Sequence, residues 1–384
     1  MRQRIVAVLV APWAVASSDP ITFWRPTYKW CVATDVLQLV ALMSSTRSVP
    51  KQSAVLTKIR QPSDQRRVQR STHLTAPLLP MTDSSQKQGL DPLSLPHANL
   101  IPERSVKLLD HIIRVPHAEV RKARYNGSEV CAKVLHLVGS SCERGVCERR
   151  ALRELKVWSS LQHDNVLPFI GYTLIPGRAL ILLSPLHVSG SASDYLRSCP
   201  DVNHLRLVTE IAEGVDYLHG QDIIHGDLKG ANIVISCQRG RVRPLLCDFG
   251  LSKIVGLKGF TTVARGTVPW MAPELLGSKE APCLLTWSSD IWAWGMTVYE
   301  LFTGNIPYHD TDMRDPALAR HIVGGHLPVY PGITASVPGL GPELWQLLQK
   351  CWDRYPNHRP SSRNVVESIR ALCEHMSCGI RESA

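Results

Sequence analysis

Apolar and polar positions change rhythm along the chain, and the change divides it. Glu129–Leu135 reads as a strand, with Ala118–Tyr125 as its partner. Asn126-Gly127 between them is tight-hairpin sequence, because both residue types tolerate positive φ. Val166–Thr173 and Ala179–Leu183 are two more strand predictions. A helix is predicted at Arg149–Leu161, with Leu152, Leu155 and Trp158 on one side. After Ser189 the period becomes helical. Leu205, Val208, Ile211, Ala212, Val215 and Leu218 mark one long amphipathic helix. Another starts at Ser288 or Ser289 and runs through Trp292, Met296 and Tyr299 to a C-capping Gly304. Glu343–Trp352 and Ser361–His375 supply the last two. The prediction is an α+β architecture, a small β-rich lobe with one helix followed by a larger helical lobe.

Upstream of this pattern the chain reads differently. Residues 46–104 are rich in Ser, Thr, Gln, Pro and Arg, and a stretch such as Gln61-Pro-Ser-Asp-Gln-Arg-Arg67 buries too little apolar surface to offset its ordering entropy. Residues 17–45 hold Trp24, Trp30 and the run Val36–Met43, which predicts one short helix. The net charge of +10 is concentrated here: residues 1–100 carry 12 basic and 5 acidic side chains, with no Glu. A nucleic-acid binder would need its basic face within the folded part, so that class is excluded. The expected organisation is a basic, mostly disordered region over 1–104, a folded domain over 105–376 and a tail over 377–384.

The 11 cysteines contain no Cys-x-x-Cys pair. Cys142/Cys147 and Cys373/Cys378 are too widely spaced for a zinc site, so free thiols in a reducing compartment are expected. Met1-Arg-Gln-Arg4, the apolar run Ile5–Val15 and Ala14-Val15-Ala16-Ser17 imitate a signal peptide. Pro12 interrupts that run, which is too short to span a bilayer. The expectation is a cytoplasmic protein without stable membrane insertion.

The chemistry concentrates in three stretches: Ile223-Ile-His-Gly-Asp-Leu-Lys-Gly-Ala-Asn-Ile-Val-Ile235, Cys247-Asp-Phe-Gly-Leu-Ser252 and Gly266-Thr-Val-Pro-Trp-Met-Ala-Pro-Glu274. Phosphoryl transfer asks little covalent chemistry of a protein. It needs an oriented nucleophile, held cations and positioned reactants. Asp227 is suited to accept a hydroxyl proton, and Lys229 to neutralise the transferred phosphoryl group. Asn232 and Asp248 are oxygen ligands of the kind Mg²⁺ takes between protein and triphosphate.

In these residues the chain resembles a eukaryotic protein kinase over about Ser105 to Met376. The resemblance implies the bilobal kinase fold, with an N-lobe over 105–185 and a C-lobe over 186–376. It implies ATP and Mg²⁺ as cofactors and a protein hydroxyl as acceptor. Lys133 matches the strand lysine that holds the α- and β-phosphates, and Glu154 its helix partner. Val120, Cys131, Ser184 at the gatekeeper position and Leu186 in the Pro185–His187 hinge are implied to line the nucleotide. Glu274 and Arg359 are expected to pair. Asp227-Leu-Lys229 resembles the serine/threonine pattern. Trp158, Asn165-Val-Leu-Pro-Phe-Ile-Gly171, Gly266-Thr267 and Trp270-Met271 resemble the tyrosine-kinase-like group.

Two departures stand out. The three glycine positions of the phosphate-covering loop hold Ile113, Val115 and Ala118, and Pro116 removes a backbone donor. Gly226 stands where most kinases have an Arg that pairs with a phosphate on the activation segment, so Ser252, Thr261, Thr262 and Thr267 lack that anchor. An active serine/threonine kinase is the primary expectation, and a pseudokinase scaffold with weak or no ATP binding is the alternative.

Overall fold

The computed structural model of the chain describes residues 99–115, 118–137, 141–176, 178–238, 240–256, 266–277, 284–332 and 340–382. The expected short helix at 36–43 and the polar stretch to residue 98 lie outside them.

Five antiparallel strands open the described unit: β1 (Val106–Val115), β2 (Ala118–Tyr125), β3 (Ser128–His136), β4 (Gly171–Ile175) and β5 (Ala179–Pro185), in the order β1-β2-β3-β5-β4. The β2–β3 hairpin closes where its residues predict, with Tyr125 opposite Ser128 and positive φ at Asn126 (48°) and Gly127 (79°). Strand alternation then sorts the side chains. Ala123, Val130, Ala132, Val134, Ile181 and Leu183 share one buried cluster. Leu135, Leu180 and Leu182 join the other cluster, with Ala151, Leu155 and Trp158 of α1 (Ser141–Trp158). Lys133 lies on this second face.

Three boundaries differ from expectation. Helix α1 starts at Ser141 rather than Arg149, because its first turns lack the apolar stripe that betrays the rest. The extended run at 166–173 is divided: only Gly171 onward joins the sheet, while Leu167 donates to Leu246 O at 2.9 Å in the other lobe. Upstream of Ser105, Ile101 donates to Tyr172 O at 2.7 Å, so the packed unit begins before that residue.

The larger lobe is built on α3 (His204–Gly220), which follows the short α2 (Ala192–Ser198). Asn203 caps α3, accepting from Arg206 N at 2.9 Å, and all six predicted apolar positions are buried. Short β6 (Ile223–Ile224) and the hairpin β7 (Ile233–Gln238) with β8 (Arg241–Leu246) follow, and β9 (Lys253–Ile254) pairs with β6. After α4 (Pro273–Leu276) comes α5 (Trp287–Thr303), opened by a Thr286/Ser289 capping box and closed by Gly304 at φ 70°. It is buried without interruption from Ser289 to Phe302 and forms the axis of the lobe. Helices α6 (Asp315–Val323), α7 (Pro342–Cys351) and α8 (Ser362–Glu382) follow; α7 packs on α5 and α8 mainly on α3, and α8 continues past the expected helix end at His375. Among the described residues no helix is long and apolar enough to cross a membrane.

Packing against α5 is close at one point. A Cβ at Gly295 would sit 2.6 Å from Trp352 Nε1, and Trp352 is itself buried. Alanine favours a helix over glycine by about 1 kcal/mol. We expect the overlap to win, with Gly295→Ala losing about 1–3 kcal/mol of stability. A urea midpoint at or above wild type would show that Trp352 moves aside freely.

Candidate active site

The loop between β6 and β7 would expose many backbone donors, and a buried carboxylate collects them. Asp290, 1% exposed on α5, accepts from His225 N at 2.7 Å, Gly226 N at 2.9 Å and His219 Nε2 at 3.1 Å. The same turn holds Gly226 at φ 80°, a left-handed backbone that glycine adopts without a Cβ penalty. Leu285 fills the space beside it, with Cδ1 2.6 Å from where a Cβ would stand.

That anchoring presents Asp227. Its Oδ2 accepts from Lys229 Nζ and Asn232 Nδ2, both at 2.9 Å, and its Oδ1 accepts from Thr267 Oγ1 at 3.0 Å. Lys229 also donates to Thr267 Oγ1 at 2.6 Å. Thr267 therefore places a hydroxyl between the carboxylate and the ammonium. Asn232 directs its amide N–H groups to Asp227, including the backbone O at 2.7 Å, which leaves its own carbonyl oxygen for another partner.

The β7–β8 hairpin brings the next group alongside, because Cys247 N donates to Asn232 O at 3.0 Å immediately before Asp248. Asp248 has φ 66°, a conformation eased by its own Oδ1 accepting from Gly250 N at 3.3 Å. Lys133 Nζ reaches Asp248 Oδ1 at 3.0 Å and Glu154 Oε1 at 2.5 Å, so one ammonium bridges β3, α1 and the segment after β8. Burial would lower the Lys133 ammonium, but the two carboxylates overcome it and hold the group above its ordinary value. For Asp248 burial pushes upward, and Lys133, Arg150 and the Gly250 N–H hold it well below the usual carboxylate range. Glu154, 1% exposed, is pushed up by burial, with Lys133 pulling against that.

The nucleotide-facing expectations fall on this same face. Val120 pairs with Lys133, and Cys131 with Ser184, in the strand registers, so each pair shares a side of the sheet. Ser184 is buried at the end of β5, and Leu186 follows in the half-buried link to α2. Burial raises the Cys131 and Cys247 thiols, which keeps them neutral beside the lysine. Phe249 is fully buried, 6.4 Å from the Trp158 ring. Lys133, Glu154 and Asp248 are thus joined by ion pairs and Asp227, Lys229 and Asn232 by hydrogen bonds, while Val120, Cys131 and Ser184 lie on β2, β3 and β5 and Leu186 follows β5.

Among the activation-segment hydroxyls, Ser252 is fully buried and donates to His225 O at 2.9 Å, while Thr261 and Thr262 lie outside the described residues. The expected Glu274–Arg359 pair forms at 2.7 and 2.8 Å, with Arg359 5.0 Å over the Trp292 ring. Glu300 and Arg150 were not singled out from sequence, and Asp290 only as part of Ser289-Asp-Ile-Trp-Ala-Trp-Gly295, a stretch that resembles the kinase C-lobe framework. The two acids carried a usable signal, since each interrupts an otherwise apolar helix that leaves no solvated face for it.

A family model described as "Protein kinase domain" matches residues 117–369. Similar proteins include "Probable serine/threonine-protein kinase roco6" of Dictyostelium discoideum, 29% identical over 66% of this chain and 12% of its own length. "Serine/threonine-protein kinase STY46" of Arabidopsis thaliana is 27% identical over 68% of this chain and 43% of its own. "Mitogen-activated protein kinase kinase kinase 10" of Homo sapiens is 30% identical over 69% of this chain and 27% of its own. The chain therefore spans less than half the length of these relatives.

The turn at Gly226 makes a direct prediction. Gly226→Ala should cost about 1–2 kcal/mol from the left-handed backbone alone, with displacement of Leu285 adding to it. Unchanged stability on chemical denaturation would mean that the backbone there relaxes out of the left-handed region.

Proposed function

We propose that this chain, which belongs to the protein kinase family, transfers the γ-phosphate of ATP to serine and threonine hydroxyls of protein substrates. The observation that carries the reading is the convergence on Asp227. A carboxylate and the Lys229 ammonium hold one hydroxyl, that of Thr267, between them at 3.0 and 2.6 Å. In this reading Asp227 orients the substrate hydroxyl and takes its proton as oxygen attacks the γ-phosphorus. Lys229 neutralises the transferred phosphoryl group, and ADP leaves. Lys133, held by Glu154, binds the α- and β-phosphates, while Val120, Cys131, Ser184 and Leu186 enclose adenine.

The donor set also fits a divalent cation. The Asn232 carbonyl oxygen and the strongly acidic Asp248 are hard oxygen ligands, the type Mg²⁺ takes. Bound there, Mg²⁺ would supply charge neutralisation across the phosphates. Free thiols at Cys131, Cys247 and Cys351 support a reducing, cytoplasmic setting. The near-balanced charge of residues 101–384 supports a protein substrate rather than nucleic acid. The scaffold alternative rests on the glycine-free turn between β1 and β2, where Ile113 and Ala118 stand within paired strands.

The decisive test is Asp227→Asn, scored by phosphate incorporation into a generic protein substrate and by ADP release. Turnover should fall by far more than tenfold with fold and nucleotide affinity nearly intact, and retention of more than about a tenth of kcat, roughly 1.4 kcal/mol, would displace Asp227 from this role.

A second expectation concerns phosphate affinity. With side chains at 113, 115 and 118 and no N–H at Pro116, ATP should gain more affinity than adenosine when all four positions become glycine. Calorimetric titration of both ligands against both proteins measures this. Equal ATP affinities would show that the turn does not limit phosphate binding, and would remove the scaffold alternative's motive.

A further inference from the structure

A second cation stands beside the Lys133 group, and no step above uses it. Arg150 lies on α1 one turn before Glu154, with an exposed side chain. Its Nε is 2.8 Å from the point where a Cβ of Gly250 would stand, and that point is 3.3 Å from both Asp248 Oδ1 and Glu154 Oε2. The guanidinium therefore lies over the glycine that follows Phe249, within about 6 Å of both carboxylates, where charge acts strongly. It makes no hydrogen bond or ion pair among the described residues.

Its own helix does not account for this placement. Arg149 precedes it and Arg153 follows at i+3, so like charges crowd one face. Burial, then Arg150 and Arg149, hold the Arg153 guanidinium below its ordinary value. Glu154 at i+4 is the one acid at a facing position, and the arginine stands N-terminal to it, the weaker order for such a pair.

Charge balance does account for it. Glu154 Oε1 is taken by Lys133, while its Oε2 is buried without a hydrogen-bond donor. One ammonium is thus divided between two carboxylates, which alone would leave the group one negative charge in excess. With Arg150, two cations face two carboxylates. Asp227 stays outside this balance, because Lys229 pairs with it at 2.9 Å. Burial pushes Asp248 up, and Arg150 stands next after Lys133 among the charges that hold it down. Burial likewise raises Glu154, and Arg150 adds to the pull of Lys133 against it.

We propose that Arg150 is a positioning residue for the nucleotide, which balances the charge of Glu154 and Asp248 so that Lys133 is free to turn to the phosphates. It touches neither the phosphates nor the reacting atoms, and acts through the two carboxylates. Without its charge the group is negative, which repels an entering triphosphate and attracts a bare cation. The inference rests on the kinase reading above, and the opposite signs of these two effects are its signature.

Arg150→Gln removes the charge at an exposed position and keeps a polar side chain. In EDTA, calorimetric titration of the full chain should show ATP bound about 3- to 10-fold more weakly and adenosine unchanged. Without nucleotide, Mn²⁺ titrated against the same protein and followed by EPR should bind tighter by a similar factor. Arg150→Lys should return both affinities toward wild type. A residue that merely supports the fold would weaken ATP, adenosine and Mn²⁺ together. Unchanged ATP affinity in a folded Gln variant overturns the inference, as does Mn²⁺ binding that weakens along with ATP, or a Lys variant as impaired as Gln. If Arg150→Gln does not fold, Arg150→Met keeps the aliphatic stem, and the same outcomes decide. A wild-type chain that binds neither ATP nor Mn²⁺ removes the kinase reading and the inference with it. A wild-type chain that binds both, matched by its Gln variant, removes the inference alone.

Discussion

A carboxylate buried inside a protein needs hydrogen-bond donors around it, and that requirement organises this molecule. Helix α5 is apolar over most of its length yet buries two acids, Asp290 and Glu300. Each takes at least one donor from loop backbone. Asp290 gathers the N–H groups of His225 and Gly226, and Glu300 gathers that of Gly230. Loops carry unpaired donors that must find partners when buried. Here the partners stand on a helix buried from Ser289 to Phe302, so the loop holding Asp227 inherits the geometry of a helix. Removing either acid would strand several buried donors at once, each costing about 1–3 kcal/mol.

The ion-paired group around Lys133 follows the same logic with the charges reversed. Lys133 is the half-buried cation, and Glu154 and Asp248 are its partners from two other elements. The pairing makes the position of α1 depend on the segment after β8, because neither carboxylate can leave without exposing the ammonium to an apolar surround. Phe249 reinforces the link by packing beside Trp158 at the end of α1. The geometry of the phosphate-facing lysine is thus coupled to that of Asp248 through contacts on both sides of it. A buried ion pair of this kind adds little net stability. It does restrict the two lobes' elements to one arrangement.

Much of this was legible in the chain because the decisive residues sit on short loops at fixed offsets. Asp227, Lys229 and Asn232 share one loop, and the hairpin that returns Asp248 to Asn232 is too short to leave it elsewhere. The β2–β3 hairpin was legible from Asn126-Gly127, since turn chemistry alone sets its register. Other features hid behind non-local pairing. Val166–Thr173 has strand composition, but which partner its first half meets is decided by Leu246, far along the chain. β1 mixes Lys107, Asp110 and Arg114 among apolar residues, and its register shifts against β2 defeat a period-two pattern. Glu300 interrupts an apolar helix and so reads as buried, but its partners Ser193, Gly230 and Trp270 come from distant parts of the chain.

The absent arginine at position 226 takes on a physical meaning in this setting. An arginine there would have to adopt φ 80° and displace Leu285. The space is closed by apolar packing instead, and the segment leading to Thr267 is fastened by other means. Ser252 is tied to His225 O, Thr267 to both Asp227 and Lys229, Trp270 to Glu300, and Glu274 to Arg359. Each of these bonds uses groups the chain already carries. A phosphate would add charge where Gly226 offers it no cation, so direct bonds, rather than an added anion, hold the described ends of the segment against the catalytic loop. At these described ends the segment is held by hydrogen bonds and one ion pair between groups of the chain itself.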